Sequence, residues 1–487
     1  MPLELRWLSF AGDREPLRAI RRAVFVDEQG FGPFMVETAR DGGGLHLAAL
    51  DGERVVAAIS AYVLQGDDPD LASWGIDARR GAPVVQITKR ASLRGVRGGR
   101  VSELLVCAMW RAIDEVIAPA AYVATLIGAH AGLAGAYERD FGLAHHAALE
   151  TPQGRTTVLV ARGADVLRRR YAAMTKRAEA LARDLHVTIP SLVRFLDRSG
   201  RTAAIDVDRL NATNNYLAPL SLREELPRLA AQARIVALEQ RSRLGVLDGH
   251  ARPGGAPRRG ARPRLLDVGC GPGVYLSSLT AHDALRGYEV HGVDASAELV
   301  TYARLACPGV ELRVAGAYAT GYAGASFDVV HASFLFTHLS CPDLALREAA
   351  RLLLPGGLLY VVDVDDATFD GPPALARLVE RYGEVHGGDR RVMDALPARA
   401  AELGLHLARS SATTVVNRGD EGRPALSGDD QGATLAIGRM QMWGIFSFMG
   451  QRSEIADAYA EAERRYFEAP CDVAVAVRTH VYEAVVR

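Results

Sequence analysis

Residues 263–279 read PRLLDVGCGPGVYLSSL: a short apolar run ending in Asp267 and Val268, three glycines within five residues, then an apolar-periodic stretch. A strand that turns through glycines straight into a helix constrains the fold more than any other segment of this chain. Such a turn brings bare backbone and a helix N-terminus up to a ligand, which makes it a nucleotide site. It begins only after Arg262, so a chain of 487 residues must hold something else before it. Domains usually hold about 100 to 200 residues, and two or three are expected.

Downstream, short apolar runs alternate with helical stretches: Glu289 to Asp294 (EVHGVD), Val310 to Gly316 (VELRVAG), Phe327 to Phe334 (FDVVHASF) and Leu358 to Asp366 (LLYVVDVDD). This alternation predicts a parallel sheet covered on both faces. Leu405 to Val416 and Val473 to Val486 read instead as a closing antiparallel pair. Upstream, Asp13 to Phe31 has helical spacing, and Leu45 to Leu64 reads as a hairpin turned at Asp51-Gly52. A strand Val84 to Ser92, a Gly/Arg loop Arg94 to Arg100, a helix Val101 to Ile117, a strand Ala121 to Gly128 and a last strand TTVLVAR complete this part.

From Ala164 to His250 the signals are helical, with Ser221 and Glu224 as a capping box ahead of Leu226, Leu229, Ala233 and Val236 on one face. ARPGGAPRRGARPR (Ala251 to Arg264) reads as an exposed loop. The fold class is α/β, in three segments: 1–165, a helical bridge 166–250 that also supplies a lid, and 251–487.

Lys plus Arg is 57 against 58 for Asp plus Glu, so no global positive field exists to hold nucleic acid. Every apolar run is broken by charge before about 18 residues, and MPLELRWLSF is no secretion signal. The five cysteines are scattered, with no spacing that would assemble a zinc site. A reduced, cytoplasmic protein with a small-molecule partner, no nucleic acid, no membrane and no metal is the expectation; the oligomeric state is open.

The loop Gly269-Cys270-Gly271-Pro272-Gly273 is G-x-G-x-G rather than the G-x-G-x-x-G that seats a pyrophosphate, so a ligand without phosphate is allowed. After it, the second short strand ends in Asp294, where a carboxylate can accept both hydroxyls of a ribose. Asp267 can meet the ligand's amino group. Cys270 reads as a small packing residue.

At these residues a family resemblance appears. LLDVGCGPG, HGVDAS, SFDVVHASFLFTHL and REAARLLLPGGLLYVVDVD resemble, in order, the motifs of class I S-adenosylmethionine-dependent methyltransferases, over about Asn211 to Arg487. The resemblance implies a Rossmann-like fold and S-adenosyl-L-methionine as cofactor. In that reading Asp267, Gly269, Cys270, Gly271 and Gly273 surround the methionine part, Asp294 holds the ribose, and Ala295, Ala317 and Phe334 lie beside the cofactor. The family commonly has an acid for the adenine amino group near the third strand's end, where this chain has Gly316-Ala317-Tyr318.

Methyl transfer needs in-line alignment more than acid or base. If the acceptor must lose a proton, His331, Asp365, His386 and Asp389 stand on strand ends and loops, and spacing does not choose among them. His338 is either structural or catalytic. Asp366, His386, Asp389 and Trp443 are acceptor-side candidates, although the Met- and aromatic-rich GRMQMWGIFSFMG around Trp443 equally suits core packing. Tyr216, in NNYLAP, is a lid candidate.

The opening segment resembles the GNAT acyltransferase family over about residues 1–163. RRAVFVDEQGF is similar to its N-terminal helix, and VVQITKRASLRGVRGGRVSELL to the strand, loop and helix that hold coenzyme A. The resemblance implies acetyl-CoA or another acyl-CoA, with Arg97, Gly98 and Gly99 in the pyrophosphate loop and Tyr137 protonating the leaving thiolate. The usual loop pattern does not lie on RGVRGGR without a substitution. Three readings follow: methyl transfer to a small molecule with acylation of the same or a related metabolite, an acyltransferase with a C-terminal S-adenosylmethionine sensor, or a docking module that binds protein through Arg-rich segments around Arg168 and Arg258, fused to the methyltransferase.

Overall fold

The computed structural model describes residues 3–77, 83–97, 99–128, 130, 134–151, 154–201, 203, 205–212, 225–233, 244, 262–428 and 432–485. The chain forms two compact units, Met1–Leu210 and Asn211–Arg487. The division falls inside the stretch assigned above to a bridge. Among the described residues no helix is long and apolar enough to cross a membrane.

The first unit is a seven-stranded sheet: β1 (Leu3–Leu8), β2 (Leu45–Asp51), β3 (Arg54–Leu64), β4 (Val84–Ser92), β5 (Ala121–Ile127), β6 (Ala144–Thr151) and β7 (Gly154–Arg162), in the order β1-β2-β3-β4-β5-β7-β6. Only β4 and β5 run parallel, and they pair only over Val84–Ile87 and Ala121–Ala124. The expected β2–β3 hairpin forms, with Asp51 opposite Arg54. Its turn residues are therefore Gly52 and Glu53, and Gly52 takes the positive φ (63°) that the first position of such a turn demands. The helical stretch after Asp13 is two pieces, an α-helix Arg14–Arg21 and a π-helical Arg22–Glu28.

The long helix Ala164–Leu185 packs on the Arg100–Val116 helix within this unit. Its Arg170 is buried, with its guanidinium carbon 3.4 Å from the centre of the Trp110 ring and 4.5 Å from that of Tyr122. Arg170 is thus an interior residue, which removes it from the protein-binding surface suggested by the Arg168–Arg170 run; Arg258 lies outside the described residues.

The second unit is a nine-stranded sheet: β8 (Arg264–Val268), β9 (Glu289–Asp294), β10 (Glu311–Val314), β11 (Phe327–Ser333), β12 (Leu353–Asp370), β13 (Leu405–Val416), β14 (Ala425–Ser427), β15 (Ala433–Ala436) and β16 (Ala474–Ala484). The order is β10-β9-β8-β11-β12-β16-β13-β15-β14, with the first five parallel and β16 antiparallel to both neighbours. The expected closing pair is therefore present. From β8 the chain builds outward through β9 to one edge and then through β11 to the other. The strand order reverses between β8 and β11, and ligands of such sheets bind outside the carboxyl ends of the strands at that point.

Leu266, Val330, Leu359 and Val361 face one core layer of this unit, and Leu265, Val329, Leu358 and Tyr360 face another. A third cluster packs the helices Pro373–Val385, Arg439–Phe446 and Ala456–Glu468 beside β13 and β15. The helix expected at Ser221–Gln240 is seen over residues 225–233, and its capping box lies outside the described residues.

Candidate functional site

β8 is buried along Leu265–Val268, and the chain leaves it through the three glycines, all at positive φ (75°, 55° and 79°), into the helix Val274–Thr280. Packing demands two of them. A Cβ on Gly269 would stand 2.9 Å from Leu335, and one on Gly273 would stand 2.9 Å from the Ala303 backbone. A Cβ on Gly271 would meet nothing within 4 Å. Gly271 thus faces open space at the reversal point of the sheet.

Asp294 closes β9 beside this loop. One carboxylate oxygen accepts from the Gly271 N–H at 2.9 Å and the other from the Ser296 N–H at 2.9 Å. Each oxygen keeps a lone pair for a further donor. Burial pushes the Asp294 carboxyl above its usual range, opposed by the two N–H bonds. Cys270, also buried, has a thiol pushed far up by burial and by Asp267 and Asp294, as befits a packing residue and not a nucleophile.

Asn211 was not singled out in the sequence. Its side-chain oxygen is buried with no hydrogen-bond partner among the described residues, and it lies 1.9 Å from where a Cβ on Gly316 would stand. Gly316 therefore leaves room for an amide at the end of β10, where the expected acid is missing. Ala317 packs against the core nearby, and Ala295 is exposed just past β9. Phe334 follows β11 with φ 51°, an uncommon state for a non-glycine residue, held by its N–H to Val362 O at 2.8 Å.

His331 stands inside β11 and not at a strand end. It is fully buried, its Nδ1 is 2.7 Å from Asp267, and its ring lies between Tyr275 and Tyr360. The Asp267 carboxylate is thereby tied to a histidine beneath the glycine loop. The His331 Nε2 is buried without a partner among the described residues. At this position His331, in register with Asp267 across β8 and β11, braces the Asp267 carboxylate.

Where β12 passes its last pair with β11, Ser333 with Val362, a second polar group assembles. His386 Nδ1 accepts from the Gly388 N–H at 2.9 Å, so its proton is on Nε2 and is donated to His338 Nδ1 at 3.1 Å. Burial, and then His386, Arg390, Arg228 and Arg452, hold His338 well below the usual histidine range. Both imidazoles are assigned as neutral by this network. Asp363, unremarked in the sequence, is fully buried under Thr337, which donates to it through N–H (3.1 Å) and Oγ1 (2.8 Å). Burial lifts its carboxyl to about 6 despite these bonds.

Asp366 and Arg390 form a buried two-pronged ion pair at 2.8 and 3.1 Å. Asp365 is fully buried against Arg478 at 2.5 Å and accepts the Ala367 N–H, which commits it to the β12–β16 pairing and not to base catalysis. Asp389 accepts the Arg391 N–H in a local turn. Trp443 is a core residue packed on Tyr466 and Tyr459, so the acceptor-pocket expectation for it is corrected. Tyr216 lies outside the described residues.

Among the described residues, Glu289, His291 and Glu311 place ligand atoms within 4.8 Å of one another. Arg264 already donates to His291 and Arg313 to Glu311, so arginine supplies the positive charge there.

In the first unit, Gly99 caps the Arg100–Val116 helix and Gly98 lies outside the described residues. Arg97 is committed to Glu28, and its guanidinium also donates to Ser92 O at 2.9 Å, so it is not the open anion ligand expected. Tyr137 is half-buried in the helix Ala134–Phe141, edge-on to Phe141. A charged cluster here went unnoticed in the sequence. Arg21 and Lys89 both pair with Asp41, at 2.9 and 3.0 Å, with Tyr62 and His46 beside them.

Residues 266–361, within the second unit, match the family model described as "Methyltransferase domain". The chain is 34% identical over 106 residues to a ubiquinone biosynthesis O-methyltransferase of Sinorhizobium medicae (strain WSM419), covering 21% of this chain and 41% of that one. It is 32% identical over 146 residues to the Brucella ovis protein of the same name, covering 29% and 53%. The chain thus spans about half the length, or less, of these curated relatives. Among solved structures, a geranyl diphosphate C-methyltransferase from Streptomyces coelicolor A3(2) aligns at 14% identity and TM-score 0.30, over 51% of this chain and 76% of that one.

Proposed function

We propose that the Asn211–Arg487 unit transfers a methyl group from S-adenosyl-L-methionine to a small-molecule acceptor. The observation that carries this reading is Asp294, a buried carboxylate with lone pairs left over, beside the open face of Gly271 at the reversal point of the sheet. A ribose diol is a fitting donor pair for it. The orphaned Asn211 oxygen suits an adenine amino group, in place of the missing acid. Asp267, braced by His331, offers its second oxygen to an ammonium. When bound, the sulfonium would supply an electrophilic methyl group and leave as a neutral thioether, and an acceptor O–H or N–H would give up its proton to a neighbouring base or to solvent.

The acceptor side is the part of β12 just past its last pair with β11. The neutral His338–His386 pair and Asp363 give it polar groups without a fixed charge on the imidazoles, while the Asp366–Arg390 pair holds the loop that carries His386. Methyl transfer is then mainly a matter of position, which can supply several kcal/mol of the barrier, about 7 to 11 in well-oriented cases. The test is incubation of the full chain with methyl-labelled donor and a cell extract, alongside Asp294→Ala. Label entering a small metabolite with the parent and not with the variant supports the reading; a parent that binds the nucleoside without transferring label supports a sensor.

A second reading applies to Met1–Leu210: acyl transfer from an acyl-CoA to a small molecule. It is supported by the strand β4, loop and helix Arg100–Val116 in succession, and by the parting of β4 from β5 after Ile87 and Ala124. The parting leaves the Thr88–Ser92 backbone paired to β3 on one side only, open to amide groups of an extended ligand. With Arg97 engaged by Glu28, a pyrophosphate would rely on backbone N–H groups at the helix start. Tyr137 is the proposed proton donor to the leaving thiolate. The cytoplasm as location and the absence of nucleic-acid and membrane partners are part of the same proposal.

A further inference from the structure

Of the 57 basic residues in this chain only two are lysines, Lys89 and Lys176. Lys176 is exposed, whereas the Lys89 side chain is 4% exposed and sits in the charged cluster of the first unit. Arginine serves nearly every other basic position, so a lysine here marks a need that a permanent cation does not meet. Arginine stays protonated at any ordinary pH, and lysine can lose its proton when buried.

The cluster shows why the proton would leave. Asp41 accepts from Arg21 (2.9 Å), Lys89 (3.0 Å), Tyr62 OH (2.8 Å) and the Thr38 N–H (2.8 Å). His46 Nε2 donates to Asp41 O at 2.9 Å and its Nδ1 meets Ser60 Oγ at 2.9 Å, the pattern of a neutral imidazole. Burial draws it down to about 4. One carboxylate therefore faces two buried cations, with Glu37 acting on Lys89 from farther off and itself paired to Arg14 and Arg18. Only Lys89 can restore balance. Burial, and then Arg21, lower it to about 8 against the pull of Asp41.

The backbone adds an independent sign. Lys89 has φ 48°, at the register slip where Ala58 and Ser60 of β3 face Ala91 and Thr88 of β4. Residues other than glycine adopt that state at a cost, and such positions gather at functional sites. The slip lies just past the last β4–β5 pair, Ile87 with Ala124, where the two strands part.

We propose that Lys89 is the proton acceptor for acyl transfer to an amine in the first unit. This rests on the acyl-transfer reading above. The neutral Lys89 amine takes one proton from the acceptor's ammonium. The freed nitrogen bonds to the thioester carbonyl carbon as the C–S bond breaks. The thiolate leaves with that electron pair and is protonated, the amide nitrogen gives up its second proton, and Lys89 returns its own to solvent.

With only two lysines, the full chain labelled with ε-13C lysine gives two side-chain signals, and Lys89→Met assigns them. The expected result is one signal titrating near 8 and the other near the ordinary lysine value of about 10.4. Thiol release from acetyl-CoA is then followed with a mixture of amino acids and alkylamines. Lys89→Arg keeps the pair with Asp41 and cannot accept a proton. It should lose about 100-fold or more in rate, and the pH limb near 8, with the KM for acetyl-CoA unchanged. Both signals titrating near about 10.4, or Lys89→Arg keeping the parent's rate and pH limb, overturns the base role alone. No thiol release from the parent, with Lys89 titrating near 8, overturns the acyl-transfer reading and the base role with it.

Discussion

Gly271 and Gly273 share a left-handed backbone, yet their substitution should fail in different ways. Gly273→Ala drives a Cβ to 2.9 Å from the Ala303 backbone and 3.2 Å from Cys307 Sγ, and should destabilise the second unit by about 1–3 kcal/mol. Gly271→Ala carries only the strain of its φ, about 1–2 kcal/mol, since its Cβ meets no protein atom within 4 Å. That Cβ occupies the space given to the nucleoside. Urea melts and S-adenosylhomocysteine titrations of both variants should separate them: lost stability for the first, lost binding for the second. Equal binding by Gly271→Ala and the parent would remove the nucleoside from that face.

Asp363 makes a pH-dependent prediction at the same scale. Its folded value of about 6 lies above the ordinary carboxylate value of 3.8, so between those limits the folded state holds more protons than the unfolded one. The stability that Asp363 contributes is present below about 3.8 and is lost as pH rises through about 6. The loss is of order 3 kcal/mol. Asp363→Asn should flatten this slope, so the variant's melting temperature relative to the parent should rise from pH 4 to pH 7. A difference independent of pH would place the group elsewhere on the titration scale.

At the scale of elements, the strands with the plainest signals were legible. β8, β9, β11 and the β13–β16 pair lie within a residue or two of their expected bounds, because each is an apolar run with a turn residue at its end. β1, β6, β14 and β15 were not expected. β6 has no buried residue, so its sequence carries no apolar alternation, and β14 and β15 are three and four residues long. The glycine loop and Asp294 were readable because chain spacing alone brings them together. The Lys89–Asp41–Arg21 cluster was not, since those three residues come from separate elements and no local pattern links them.

Asp365 shows the same limit from the other side, for an acid at a strand end resembled a base until its partner across the sheet was seen. β12 runs on past it to Asp370, and Arg478 of the neighbouring β16 meets the Asp365 carboxylate. Asp365→Ala should cost about 1–3 kcal/mol, less than a fully buried pair because Arg478 is 31% exposed and also reaches Asp394 at 3.2 Å. Methyl transfer per folded molecule should be unchanged. A loss of turnover with the fold and nucleoside binding intact would return Asp365 to the catalytic set.

Across the whole molecule, 57 basic against 58 acidic residues leave almost no net charge, and each proposed site would recognise its ligand through local groups. The two proposed ligands are then read by different residues in different units: Gly271 and Asp294 in one, the β4 edge and the start of the Arg100–Val116 helix in the other. A ligand at about 100 times its Kd stabilises the folded state by about 2.7 kcal/mol, and it does so where it binds. Hydrogen exchange of the full chain, followed peptide by peptide, should show S-adenosylhomocysteine protecting residues 264–294 and acetyl-CoA protecting residues 84–105. Asp294→Ala should abolish the first protection and leave the second. Protection of both segments by one nucleotide, or loss of both in the variant, would mean that a single site had been divided in two.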